Sequence, residues 1–178
     1  MNTAEAEKVK RIAIVGPECT GKTDLAIALA SHYQTVWVPE YARNYIDRLE
    51  RPYTEADLYT IAQWQLFTED SLTLNANRVL ICDTDLTIIK VWSEHKYGRV
   101  DPKIMALMAR TYDLHLLTYV DIPWEDDPQR EHPDKREYFF NLYKRELEQQ
   151  GIQAVEIRGT RSERVAKAIE SIDRILQH

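Results

Sequence analysis

Gly16-Pro17-Glu18-Cys19-Thr20-Gly21-Lys22-Thr23 reads G-x-x-x-x-G-K-T, which is the Walker A pattern. A short apolar stretch at residues 11–15 precedes the run, and helix-forming residues 24–30 follow it. Strand, glycine-rich loop and helix in that order are the context in which the pattern forms a phosphate-binding loop. The whole run from Gly16 to Thr23 is therefore predicted to bind ATP.

The chemistry of this loop depends on its backbone and on two side chains. Gly16 and Gly21 let the chain curl so that its N–H groups point at one spot, where the following helix adds partial positive charge. Lys22 is predicted to be catalytic, because it supplies a point charge for the β- and γ-phosphates. The Thr23 hydroxyl is predicted to ligate Mg²⁺.

Composition limits the classes of protein to which the chain can belong. With 178 residues, 44% of them apolar and 29% charged, we expect one globular domain over residues 11–178 and a flexible tail over residues 1–10. The net charge of −6 argues against a nucleic-acid partner and is compatible with a cationic small substrate. Cys19 and Cys82 form no disulfide framework or zinc spacing, and no apolar run is long enough for a membrane span. We therefore expect a cytoplasmic protein that binds no membrane.

Apolar strands alternate with helical segments along the chain. The five predicted strands lie near residues 11–15, 35–38, 78–82, 115–120 and 152–157. The predicted helices lie near residues 22–32, 41–49, 54–75, 84–94, 101–112, 134–150 and 162–176. This alternation predicts an α/β fold with a parallel sheet between two helical layers, and ligands bind beyond the carboxyl ends of such strands.

Carboxylates follow the second and third predicted strands. Glu40, with Arg43 one turn further along a helix, could accept a proton from a hydroxyl that attacks the γ-phosphate. Asp83 ends an apolar strand as a Walker B residue does, and would then hold Mg²⁺. Asp85 could bind the second substrate, serve as the base or cap a helix, and Asp121 is a lower-ranked Walker B candidate.

Further candidates lie in two later loops and among the aromatic residues. Residues 124–136 form a long polar loop, of which Arg130 is predicted to close over ATP as a catalytic residue. Residues 158–161 link the last strand to the last helix, and Gly159 and Arg161 are predicted to contact ATP there. An aromatic group near the acceptor side would suit a flat or cationic ring, and it comprises Tyr41, Tyr45, Trp64, Trp92 and Tyr97.

Five runs occur in an order that resembles a known family. They are Gly16 to Thr23, Val38 to Arg43, Ile81 to Asp85, Asp121 to Glu125 and Gly159 to Arg164. The P-E-Y-A-R and C-D-T-D runs are its more specific part. Over residues 11–176 the chain resembles the ribosylnicotinamide kinase domain of bacterial NAD-biosynthesis regulators, which are P-loop kinases sometimes grouped with AAA-like domains.

The resemblance implies a three-layer P-loop NTPase of the nucleoside-kinase type, with a lid and strand order 2-3-1-4-5. It also implies ATP-dependent phosphorylation of the 5′-hydroxyl of nicotinamide riboside to give nicotinamide mononucleotide. Lys22 and Thr23 would hold phosphates and Mg²⁺, Glu40 or Asp83 would be the base or metal partner, and Arg130 would be the lid arginine. The resemblance also implies that Asp85 contacts the ribose and that Gly159 to Arg161 form the adenine-side loop. Together with the residues argued above, the predicted acceptor contacts are Glu40, Tyr41, Arg43, Asp85 and Trp92.

The sequence leaves alternatives open. The family often has Asp-Gly before the lid arginine, whereas this chain has Asp127-Pro128-Gln129-Arg130, which stiffens the loop. The match covers only the kinase part of the regulators, so we expect neither adenylyl transfer nor repression. A kinase of another nucleoside and a regulatory P-loop ATPase are the competing hypotheses, and the oligomeric state is open, with a homo-oligomer among the options.

Overall fold

The computed structural model describes residues 8–177, in which five strands form one sheet. The strands are β1 (Lys10–Val15), β2 (Trp37–Val38), β3 (Val79–Asp83), β4 (Leu114–Thr118) and β5 (Val155–Ile157). Every neighbouring pair is parallel, and the order across the sheet is β2-β3-β1-β4-β5. The predicted five-stranded parallel sheet and its order are both confirmed.

Helices cover both faces of the sheet. They are α1 (Lys22–Tyr33), α2 (Tyr41–Asp47), α3 (Glu55–Thr73), α4 (Leu86–Tyr97), α5 (Pro102–Leu107), α6 (Arg136–Gln149) and α7 (Arg161–Leu176), with a 3-10 turn at Pro133–Lys135 before α6. Helices α1 and α7 pack on one face, and α4 and α6 pack on the other. These two helical layers enclose the sheet. Helix α3 packs with α2, α4 and α5 beside the β2 edge.

The central strand β1 shows why the sheet is buried on both faces. Ile12 and Ile14 pack against α1 and α7, whereas the alternate residues Ala13 and Val15 pack against α4 and α6. All four side chains are buried. Side chains alternate between the faces of a strand, so a strand covered on both sides must be apolar throughout.

The starts of α3 and α4 agree with the sequence prediction because their capping residues can be recognised in the sequence. Asp85 accepts a hydrogen bond from the Thr87 N–H at 2.8 Å, which starts α4. The Thr54 N–H donates to the Asp57 carboxylate at 2.7 Å at the start of α3, as the acidic N3 position predicts. Strand β1 begins at Lys10, inside the predicted flexible tail, while residues 1–7 of that predicted tail lie outside the described residues.

Helix α5 is shorter than predicted. It ends at Leu107, although the pattern predicted a helix to Tyr112. Arg110 donates to Asp70 on α3 at 2.6 and 2.8 Å, and the Tyr112 hydroxyl donates to Glu69 at 2.8 Å. These contacts direct both side chains toward α3, a tertiary effect that local sequence cannot show.

The carboxyl edge of the sheet is where the chain gathers its candidate site residues. β1 leads into the phosphate-binding loop, β3 ends at Asp83, β4 leads into the long loop, and β5 precedes residues 158–160. Within residues 8–177, none of the helices combines the length and the apolar character needed to cross a bilayer.

Candidate active site

The phosphate-binding loop, residues 16–23, depends on both of its glycines. Gly16 has φ 154°, and a Cβ there would lie 2.2 Å from Thr118 Oγ1 on β4. Gly21 has φ 77°, and a Cβ there would lie 2.9 Å from Ile122 Cδ1. Any side chain would therefore force the loop or its neighbours to move.

Buried hydrogen bonds fix the loop before any ligand binds. The Thr20 hydroxyl donates to the Pro17 carbonyl at 2.8 Å, and its oxygen lies 2.7 Å from the Thr118 hydroxyl. Both threonines are buried, so these bonds are shielded from water. The loop is thus preorganised for an anion at the start of α1.

Lys22 lies folded over its own loop. Its Nζ donates to the carbonyls of Gly16 and Pro17, each at 2.9 Å. These carbonyls are neutral partners, and a phosphate oxygen would attract the ammonium group more strongly. The lysine is therefore positioned to turn toward a phosphate without a large rearrangement.

Thr23 and Asp83 meet where a cation would be expected. The Thr23 hydroxyl donates to Asp83 Oδ2 at 2.5 Å, while Oδ1 is buried with no hydrogen-bond partner in the described chain. Burial raises the pKa of Asp83, and the nearby Lys22 lowers it. A hydroxyl and a buried carboxylate fit Mg²⁺, which usually binds through one or two protein oxygens together with substrate phosphates. No cluster of three or more acidic, His or Cys side chains within residues 8–177 could hold a metal alone.

Glu40 lies after β2 with a perturbed carboxyl group. Its pKa is raised to about 7, chiefly by burial and also by the negative charges of Asp83 and Glu18, while the positive charges of Lys22 and Arg43 lower it. A carboxylate that titrates near neutral pH is suited to accept a proton during catalysis. Asp83 accepts a hydrogen bond from the Thr23 hydroxyl and Glu40 does not, and which of the two acids is the base stays a prediction.

One cavity of about 470 Å³ brings most of the predicted residues together. The predicted residues along its wall are Gly16, Glu18, Cys19, Thr20, Gly21, Lys22, Thr23, Glu40, Arg43, Trp92, Arg130 and Arg161. Pro17 lines a smaller neighbouring cavity with Glu18 and Trp92. The arrangement places a phosphate-binding loop, a carboxyl group and an aromatic ring around one space.

Asp85 does not line this cavity. Its carboxylate caps α4 and lies 3.0 Å from His115 Nε2, and both side chains are buried along a separate cavity of about 440 Å³. The placement does not support the implied ribose contact, because the carboxylate is already occupied by Thr87 and His115.

Tyr41 and Gly159 also lie outside the lining of the cavity of about 470 Å³, the main cavity. The Tyr41 ring stacks on Trp64 with centroids 6.0 Å apart, at the surface of α3. The Gly159 N–H donates to Asp121 at 2.7 Å, so this turn closes on the segment that follows β4. Asp121 is therefore tied to the last β–α turn, and Asp83 stays the predicted Mg²⁺ ligand.

The long loop covers the cavity from the side of α2. The Arg130 guanidinium donates to the Glu125 carbonyl and lies 5.9 Å from the Trp124 ring centroid. Asp127 forms an ion pair with Arg43 of α2. Arg130 thus lies on the cavity wall as predicted, and its catalytic role stays a prediction.

Two arginines contribute contacts that the sequence did not assign. Arg136 donates to the carbonyls of Cys19 at 3.1 Å and Ile122 at 2.8 Å, which ties α6 to the phosphate-binding loop. Arg164 is buried, donates to the Thr20 carbonyl at 2.7 Å and pairs with Asp121. Arg164 is one of three arginines of α7, with Arg161 and Arg174, so spacing alone does not show which of them turns inward.

An aromatic cavity of about 220 Å³ adjoins the main one, with Glu18, Trp92 and Gln129 on the walls of both. Its aromatic walls are Tyr53, Trp92 and Phe139. Tyr143 of α6 lies on the wall of the main cavity. Of these rings only Trp92 was predicted, because α6 and the turn before α3 reach the site only through tertiary packing.

Comparison with known proteins identifies the family of the chain. The family model described as an AAA domain matches residues 11–164. The trifunctional NAD biosynthesis/regulator protein NadR of Escherichia coli is 30% identical over 159 residues, which cover 84% of this chain. The chain spans only 38% of the length of that relative.

Solved structures share the fold. The crystal structure of NadR protein in complex with NR has a TM-score of 0.84 at 20% identity, covering 94% of this chain and 52% of that chain. NadR in complex with NAD and AMP-PNP has a TM-score of 0.82 at 20% identity, covering 96% of this chain and 50% of that chain. Nucleoside and nucleotide kinases share the same architecture. The resemblance drawn from the sequence is confirmed, and the chain belongs to the AAA domain family as a NadR-like P-loop domain.

Proposed function

We propose that this protein is an ATP-dependent kinase that phosphorylates the 5′-hydroxyl of nicotinamide riboside to nicotinamide mononucleotide. The observation that carries the proposal is the single cavity lined by Lys22, Glu40 and Trp92. It combines a phosphate-binding side chain, a carboxyl group with a pKa of about 7 and an aromatic ring. The likeness to NadR, solved with NR and with AMP-PNP, supports both substrates.

The donor side of the cavity would bind the triphosphate of ATP. The N–H groups at the start of α1 would bind the phosphates. Lys22 Nζ, which donates to the carbonyls of Gly16 and Pro17, would donate to phosphate oxygens instead. Arg161 lies on the wall of the same cavity, and Arg130 lies on the loop that covers it. Positive charge from these side chains stabilises the charge that spreads over the transferred phosphoryl group.

Thr23 and Asp83 would hold Mg²⁺ beside the phosphates. When bound, the cation neutralises charge on the β- and γ-phosphate oxygens. The Thr23 hydroxyl presently donates to Asp83, so both oxygens already lie together at the edge of the loop. The buried Oδ1 of Asp83 needs a partner, and a cation or its water would supply one.

Glu40 would act as the general base. Its ionised carboxylate accepts the proton of the 5′-hydroxyl as that oxygen attacks the γ-phosphate, and ADP leaves. A pKa of about 7 leaves a substantial fraction ionised at neutral pH while keeping the group basic enough to take the proton. Trp92 and the neighbouring aromatic cavity would receive the flat nicotinamide ring.

The direct test is ADP release with Mg-ATP, measured with nicotinamide riboside and with a panel of ordinary nucleosides. We expect strong stimulation by nicotinamide riboside and little by the others. Stimulation by a different nucleoside would keep the kinase chemistry and reject the acceptor. Slow hydrolysis that no nucleoside changes would reject the kinase and favour a regulatory ATPase.

A further inference from the structure

The side chain of Glu18 lies between the phosphate-binding and aromatic parts of the site. Glu18 and Trp92 both line the main cavity, the aromatic cavity and the small cavity between them. The motif assigns this position to the phosphate-binding loop through its backbone, and leaves its side chain without a role. Its carboxylate is the acidic group of that loop that reaches the aromatic cavity.

The charge of Glu18 is only partly compensated. Its Oε2 accepts hydrogen bonds from the N–H groups of Glu131 at 3.1 Å and His132 at 3.4 Å. Among the residues that the structure describes, Glu18 forms no ion pair, and Oε1 has no hydrogen-bond partner. Burial raises the pKa of Glu18, because the ionised carboxylate has lost part of its hydration. A cation bound beside the carboxylate would compensate for the lost hydration.

The aromatic cavity already holds positive charge on one wall. Lys96 Nζ lies 3.5 Å above the centroid of the Tyr53 ring, and both residues line this cavity. A cation over an aromatic face is attracted by the negative potential of the ring. Lys96 thus covers one face of the Tyr53 ring, and Trp92 and Phe139 are the other aromatic side chains on the walls of this cavity.

We propose that the Glu18 carboxylate recognises the positive charge of the acceptor ring, and so selects an N-glycosylated pyridinium over neutral nucleosides. This inference rests on the proposed function, since it names the residue that chooses the acceptor class at the same site. Aromatic walls alone favour any flat base, whereas a partly dehydrated carboxylate discriminates by charge.

Glu18→Gln separates the charge from the shape of this side chain. The glutamine oxygen can still accept from the N–H groups of Glu131 and His132, so the contact with the long loop is retained. Only the negative charge is lost. Glu148→Gln, at the exposed C-terminal end of α6, is the matched control for removing one charge from the protein.

The experiment measures calorimetric binding of nicotinamide riboside and of its uncharged dihydro form to the wild type and both variants. The wild type and Glu148→Gln should bind the cationic form at least about fivefold more tightly than the neutral form. Glu18→Gln should lose that preference, with its affinity for the neutral form unchanged.

Binding and turnover distinguish the two proposals. A wild type that prefers the cation but phosphorylates no nicotinamide riboside would reject the proposed function and keep the role of Glu18. Equal affinity for both forms, or no affinity for either, would overturn the role of Glu18 even with normal turnover. An equal loss for both forms in Glu18→Gln would also overturn it, and would indicate that Glu18 acts by holding the long loop.

Discussion

The two halves of the proposed site are built in different ways. The donor half is built around one continuous run, residues 16–23, which is fixed by buried backbone and hydroxyl contacts at Thr20 and Thr118. The acceptor half is assembled from separate segments, which contribute Glu40, Trp92 and Gln129. A local motif can encode the first half, whereas only tertiary structure brings the second together.

The contacts that hold the halves also differ in burial. Arg164 reaches the donor loop from α7 with a side chain that is 4% exposed. The long loop reaches α2 through the Arg43–Asp127 pair, in which the arginine side chain is 50% exposed. Buried contacts of a charged group are costly to break, and exposed ion pairs contribute little. Mutations should therefore act strongly in the donor loop and weakly at the long loop.

Lys22→Ala should have the largest effect. It removes the charged contact to the phosphates, and we expect kcat/KM for ATP to fall by about three orders of magnitude. Lys167→Ala, which removes a surface lysine of α7 paired with Glu170, should be close to wild type. The measurement is steady-state ADP release by both variants, and near-normal turnover in Lys22→Ala would contradict the phosphate assignment.

Glu40→Gln should have the next largest effect, on the acceptor half. Loss of the base should lower kcat by about two orders of magnitude, while the Kd for ATP changes little. Asp83→Asn is the comparison, because it should instead raise the Mg²⁺ concentration needed for half-maximal rate. Stopped-flow turnover and nucleotide binding separate the two, and a normal rate in Glu40→Gln would show that another group takes the proton.

The pH profile should show a third, smaller effect. The raised pKa of Glu40, about 7, means that its proton-accepting form is present above that pH and is lost as pH falls. We expect kcat/KM at pH 6 to be about tenfold below its plateau, since this ratio reports the free enzyme. Glu40→Gln should lack this acidic limb, and an unchanged limb in the variant would assign it to a different residue.

The fold was predictable because its signals are local. The Walker A run, the apolar strands and the caps at Thr54 and Asp85 can each be read within a few residues. Strand order came from the resemblance and is confirmed. Helix α5 was predicted too long, because the side chains of Arg110 and Tyr112 pair with acids on α3 that lie about 40 positions away.

The site was less predictable where a side chain at the carboxyl edge of the sheet could face either of two cavities. Asp85 lies just after β3, at the edge of the sheet where a ribose contact is expected, yet its carboxylate pairs with His115. Tyr143 reaches the main cavity from a helix whose periodicity marks it only as a core residue. Spacing along the chain predicts which edge of the sheet a residue reaches, but its side-chain direction depends on neighbours distant in sequence.

Asp127→Asn should have the smallest effect and tests whether the acceptor half depends on its exposed contacts. The variant loses the ion pair to Arg43 but can still accept the Gln129 N–H, which now donates to Asp127 at 3.0 Å. Because exposed ion pairs are weak, KM for both substrates should rise by less than about threefold with kcat unchanged. Asp126→Asn removes a neighbouring charge without breaking this pair, and should give wild-type kinetics. A loss above tenfold specific to Asp127→Asn would mean that the long loop is held as firmly as the phosphate-binding loop, and the contrast between the two halves would not hold.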